Sequence, residues 1–123
     1  MPERLASFTH DSLKFTVRDE GPLDGVPIVL LHGFPQDSRS WEAVVPLLHK
    51  EGYRTVAPDQ RGYSPGARPA RRRDYRGEEL VGDVVALIEA LDVGPVHLVG
   101  HDWGAAAAWQ TANMHPELVR TLT

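Results

Sequence analysis

Val96-His97-Leu98-Val99-Gly100-His101-Asp102-Trp103-Gly104 is the stretch on which the reading of this chain turns. Val96, Leu98 and Val99 make a short apolar run that ends in glycine, and an alanine-rich segment then leads from Gly104 to Trp109. The pattern changes within a few residues from that of a buried strand to that of a helix, with Asp102 at the apex of the turn between them. Glycines on both flanks, Gly100 and Gly104, suit a turn whose backbone runs so close to neighbouring strands that a Cβ would clash. A carboxylate at the apex projects from the end of the strand, above the amino terminus of the next helix, where the helix dipole keeps it ionised. Aspartate is also a favoured N-cap, so these residues alone serve equally as an ordinary helix start. The rest of the chain separates the two readings.

Upstream, Glu78 to Leu91 carries Leu80, Val81, Val84, Leu87, Ile88 and Leu91 at helical spacing, with an acidic first turn and Gly94-Pro95 as the stop. Ile28-Val29-Leu30-Leu31 is continuously apolar, as a strand buried on both faces of a parallel sheet would be, and runs into His32-Gly33-Phe34-Pro35. Thr55-Val56-Ala57 predicts another short strand, leading into Asp59-Gln60-Arg61-Gly62-Tyr63-Ser64. Between these two, Ser40 is expected to cap a helix from Trp41 towards Glu51, kinked or started at Pro46 and ended by Gly52. Leu13, Phe15 and Val17 alternate with polar residues as in a half-buried strand, paired with Leu5 to Thr9 through a turn at His10-Asp11-Ser12. The third helix should run to about Met114, its alanines Ala105 to Ala108 allowing it to lie close on a sheet, and Val119 to Thr123 begins a further strand. Strands alternating with helices predict an α/β fold with a mostly parallel sheet and ligands beyond the carboxyl ends of the strands. All three glycine-bearing motifs fall at such ends.

Composition narrows the function. With 123 residues there is room for one domain, and 41% hydrophobic and 24% charged residues are globular proportions. A net charge of −4 gives no reason to expect nucleic acid as partner. The absence of cysteine removes disulfides, thiolate nucleophiles and cysteine-based zinc sites, and no metal or cofactor is expected. No G-x-G-x-x-G opens a helix, which argues against a dinucleotide site. The start lacks a secretory pattern and no apolar stretch spans a bilayer, so a cytoplasmic protein without membrane contact is expected. The arginines around Arg71-Arg72-Arg73 read as a solvated loop, and Asp59 and Arg61 as braces of the turn after their strand.

Taken in order, H-G-F-P, D-Q-R-G-Y-S and G-H-D-W-G resemble the α/β-hydrolase superfamily, whose nucleophile turn is G-x-S-x-G, and more closely its aspartate-nucleophile branch of epoxide hydrolases and haloalkane dehalogenases. The resemblance implies a three-layer α/β-hydrolase fold, Asp102 as the nucleophile, and an oxyanion hole from the backbone N–H groups of Trp103 and Phe34. His32, Gly33, Pro35, Gly100, His101 and Gly104 become scaffold of the two motifs, with a cis Phe34–Pro35 bond facing the Phe34 N–H to Asp102. An ionised aspartate can attack an sp³ carbon without a base, whereas the resulting ester needs water activated by a histidine. Phe34 has no donor for a halide, and Trp103 stands where fluoroacetate dehalogenases place arginine. The pattern therefore favours an epoxide and water as substrates over a dehalogenase. A non-catalytic remnant or binding module is the third alternative. Oligomeric state is left open.

In the family the relay acid and the histidine follow the nucleophile, yet the only histidine after Asp102 is His115. The intervening helix would separate the two by roughly 20 Å at about 1.5 Å per residue, so His115 cannot be the base. The chain is accordingly expected to be the amino-terminal portion of a hydrolase core, ending after the nucleophile helix, without cap domain and inactive alone. The Val96 strand is expected to be left as an unpaired edge, making the isolated chain poorly soluble.

Overall fold

A computed structural model describes residues 2–123. Its centre is a six-stranded sheet of order β1-β2-β4-β3-β5-β6, formed by Ser7–His10, Leu13–Glu20, Arg54–Pro58, Pro27–Leu31, Val96–Gly100 and Val119–Leu122 respectively. The β3–β4, β3–β5 and β5–β6 pairs are parallel, and β2 joins β1 and β4 antiparallel. Three helices cover it: α1 (Val45–Lys50), α2 (Gly77–Leu91) and α3 (Trp103–Met114).

Alternation along β3 sorts the layers, because successive side chains leave a strand on opposite faces. Ile28 and Leu30 meet Trp41, Val45 and Leu48 on the α1 side. Val29 and Leu31 join Val56, Leu98, Val84, Leu87, Ile88, Ala107 and Ala108 on the side of α2 and α3. The fold is thus a three-layer sandwich, and full burial of each large aliphatic side chain contributes about 1.5–3 kcal/mol. Ala107 and Ala108 are 1% and 0% exposed, so α3 does lie close on the sheet through its small residues. From β3 the chain passes through α1 to β4 on one side, then returns through α2 to β5 on the other. That reversal opens a crevice at the carboxyl ends of β3 and β5, where open α/β sheets bind ligands.

Several local expectations are corrected. Ser40 does not cap a helix from Trp41. Asp37 instead caps a 3₁₀ turn, Ser38–Trp41, its side chain accepting the Arg39 N–H, and α1 starts separately with Pro46 in its first turn, where the missing N–H costs nothing. The hairpin turn is Asp11-Ser12 alone, both with positive φ as a two-residue type I′ loop requires, and His10 belongs to β1. Helix α2 closes on Asp92 in the left-handed region, two residues ahead of Gly94. The Val96 strand is not an edge: β5 pairs with β3 on one side and β6 on the other, and β6 is the outer strand. Among the described residues, no helix is long and apolar enough to cross a membrane.

Candidate active site

β3 and β5 are neighbours in parallel register, Leu31 opposite Gly100, so the H-G-F-P loop and the Asp102 turn leave the sheet side by side. The His101 N–H donates to the Leu31 carbonyl at 3.0 Å and carries the pairing one step past the strand. The crossing is too close for side chains. A Cβ on Gly104 would collide with the Leu31 and His32 carbonyls, and one on Gly33 would sit 2.5 Å from the Asp102 Cβ. Gly100 is similarly shut in by the Gly104 carbonyl at 2.5 Å.

Asp102 itself has φ 58° and ψ −123°, a backbone conformation that non-glycine residues rarely hold and that clusters at functional sites. Asp102 holds the N-cap position of α3, but its side chain makes no capping hydrogen bond there. The carboxylate turns the other way: Oδ2 accepts the Phe34 N–H at 3.0 Å, across the crevice from a residue 68 positions earlier. That N–H, and then the Trp103 N–H, hold the carboxyl below the usual aspartate value, so it is ionised at neutral pH. The Phe34–Pro35 bond is cis, as expected.

His32 is 1% exposed. Its Nδ1 lies 3.0 Å from the Gly33 carbonyl oxygen, and its Nε2 accepts the Gln60 N–H at 3.1 Å. The Gln60 side-chain amide donates in turn to the His32 carbonyl at 2.6 Å. Sequence reasoning passed over Gln60; its place next to a strand end, inside D-Q-R-G-Y-S, was the available signal. Asp59 braces its own turn through its carbonyl, which accepts the Ser64 hydroxyl, and its carboxylate also holds the neighbouring loop by accepting the Ser38 N–H at 2.8 Å. Arg61 reaches further still, to a two-pronged ion pair with buried Asp83 of α2, at 2.9 and 2.8 Å. His101 is exposed beside Asp102, and His115 sits at the far end of α3 against Glu117. The arginine loop is largely exposed.

Beside the turn lies a cavity of about 410 Å³, walled by Phe34, Tyr63, Tyr75, Leu80 and Trp103, with His32 and Gln60 at its floor. Tyr63, Tyr75 and Leu80 were not read from the sequence as parts of the site, because three different segments bring them together. Phe34 and Trp103 are each 66% exposed and form an open apolar rim. Tyr63 holds its proton beyond the usual tyrosine range, through burial and then the Asp102 charge. Among the described residues, no group of three or more His, Asp or Glu could hold a metal.

A crevice at a strand-order reversal, a strained strand–turn–helix and a facing loop N–H define a class, and residues 26–123 match it: the chain belongs to the alpha/beta hydrolase fold family. Within that family it is similar to proteins named epoxide hydrolase. It is 46% identical over 98 residues to epoxide hydrolase B of Mycobacterium tuberculosis, covering 80% of this chain and 26% of that protein. The crystal structure of an epoxide hydrolase from Vigna radiata superposes with a TM-score of 0.84 at 42% identity, over 89% of this chain and 35% of the other. Epoxide hydrolase A of Mycobacterium thermoresistibile gives 0.89 at 30% identity, over 99% and 38%. The chain thus spans between about a quarter and two fifths of the length of these relatives.

Proposed function

We propose that this chain carries the nucleophile half of an epoxide-opening site, with Asp102 as the attacking group. The observation that supports it best is the Asp102 carboxylate, ionised at a strained turn and gripped through Oδ2 by the Phe34 N–H. An ionised oxygen attacks one carbon of the strained ring, the carbon–oxygen bond breaks, and the ring oxygen leaves as an alkoxide that takes up a proton. The Asp102 ester is then attacked at its carbonyl by water, and the charge that develops on the carbonyl oxygen falls to the Phe34 and Trp103 N–H groups. The diol departs and the carboxylate returns, carrying one oxygen from water. An apolar, aromatic-walled cavity suits the hydrocarbon substituent of an epoxide. The apolar side chain of Phe34 offers a leaving halide nothing, which weighs against dehalogenation. The activating histidine is expected outside this chain, because His115 is at the wrong end of α3 and His32 is committed to Gln60.

The test is a single turnover of the complete protein, enzyme in excess, in water enriched in heavy oxygen. Light diol together with label on the Asp102 peptide supports covalent catalysis. Heavy diol with Asp102 unlabelled means direct attack by water and overturns the proposal.

A further inference from the structure

Both ring nitrogens of His32 are engaged, and the partners decide which carries hydrogen. A carbonyl only accepts and a backbone N–H only donates, so Nδ1 is protonated towards Gly33 and Nε2 offers its lone pair to Gln60. The ring is therefore the neutral Nδ1–H imidazole; a second proton, on Nε2, would face the Gln60 N–H head-on. With the Gln60 amide returning a bond to the His32 carbonyl, the loop after β4 grips the loop after β3 at two points. Phe34, whose N–H is aimed at Asp102, follows two residues later.

We propose that His32 is a positioning residue for the reaction at Asp102: as a neutral Nδ1–H imidazole it clamps the H-G-F-P loop to Gln60 and so sets the aim of the Phe34 N–H, and a proton on Nε2 releases that clamp. This rests on the reading of Asp102 as nucleophile. The groups facing the ring are the edge-on ring of Tyr63, at 4.7 Å between centroids, and the carboxylates of Asp59 and Asp37. Burial disfavours the imidazolium; the Gly33 carbonyl and then the two carboxylates favour it. Burial prevails, and the ring protonates below the usual histidine value of 6.5. The clamp is therefore whole above that value and is lost as pH falls towards the lower value of the buried ring.

A histidine that merely filled space would lower the folded fraction without singling out a step. A clamp acting through the Phe34 N–H slows the step that uses that donor, hydrolysis of the ester, and leaves ester standing on Asp102. In the complete protein, imidazole nitrogen shifts by NMR should show hydrogen on Nδ1 and a bare Nε2 at neutral pH. With styrene oxide as probe, His32→Ala should slow ester hydrolysis about 10²-fold and accumulate the Asp102 ester. His32→Gln keeps an uncharged acceptor for the Gln60 N–H; it should recover most of that rate and flatten part of the acid-side fall seen in the unmodified protein. Hydrogen on Nε2 at neutral pH overturns the proposal, as does a folded His32→Ala that hydrolyses its ester at the original rate. Should His32→Ala fail to fold, the tautomer and the His32→Gln pH profile decide, and an unflattened profile refutes. If no ester forms on Asp102 even in the unmodified protein, the nucleophile reading falls. The tautomer measurement distinguishes that failure from failure of the clamp.

Discussion

Replacing Gly33 by alanine tests whether the distance between the two loops matters to the chemistry. The added Cβ would lie 2.5 Å from the Asp102 Cβ, 2.9 Å from the His101 carbonyl oxygen and 3.1 Å from Asp102 Oδ2. Carbon atoms rest at about 3.5 Å or more, so one side must retreat by about 1 Å. The Asp102 turn cannot give easily, since Gly100 and Gly104 already hold it against the sheet. The H-G-F-P loop is pinned by the pair of bonds between His32 and Gln60. Whichever moves, the 3.0 Å bond from the Phe34 N–H opens towards about 4 Å, outside bonding range. Losing one donor of an oxyanion hole costs about 10²–10³ in rate, and overpacking of this kind costs about 1–3 kcal/mol in stability. The assay is rapid-quench single turnover of an epoxide by the complete protein, following ester formation and ester hydrolysis separately, beside a denaturant melt. Hydrolysis should fall far more than formation. A variant that hydrolyses its ester at the original rate would refute the claim that Phe34 and Asp102 must touch.

Asp83→Asn should cost about 3–5 kcal/mol in denaturant unfolding, because it leaves the buried Arg61 guanidinium without its paired charge; a loss well below 1 kcal/mol would show that the Asp74 carbonyl and Glu79 suffice as partners. Acid stability should be governed by depressed carboxylates. Arg39, through its side chain and then its N–H, lowers Asp37 from 3.8 to about 2, so the stabilisation is present above 3.8 and lost as pH falls towards about 2. Asp37 is a surface group in water, which keeps the effect small, yet Asp37→Asn should flatten the stability curve in that window, and parallel curves would rule it out. The 123-residue chain alone should show no multiple-turnover hydrolysis; sustained turnover lost on Asp102→Ala would require a base among the residues described above.

Much of this was legible because strong local signals agreed with the global arrangement. β3 reads as buried on both faces, and all five of its residues are buried. The helical period of α2 places Val81, Val84, Leu87, Ile88 and Leu91 in the core as it should. Within that same stripe sits Asp83, a charge on an apolar face, and this anomaly was the one local hint that a cation must come from elsewhere. Where local signals competed, the reading failed. Ser40 and Asp37 are both plausible caps, and the choice rests on the path of a loop that Asp59 holds from β4. The cavity wall was illegible for a similar reason: Phe34, Tyr63, Tyr75, Leu80 and Trp103 acquire a common surface only once β4 and β5 flank β3.

The same logic locates what makes the site a site. Neither the H-G-F-P loop nor the Asp102 turn has the geometry of the candidate site by itself; that geometry belongs to the register between β3 and β5, in which Val29 faces Leu98 and Leu31 faces Gly100. A slip of one residue would carry Phe34 along the sheet by about 3.3 Å, more than the whole length of its bond to Asp102 is wide. The slip would also turn Val29 and Leu31 away from α2 and α3, exchanging the two faces of the strand. Register is thus protected by the burial of apolar side chains, which has no chemistry in it. The placing of a carboxylate against a distant N–H follows from that burial, and so the core and the candidate site are specified by the same few residues.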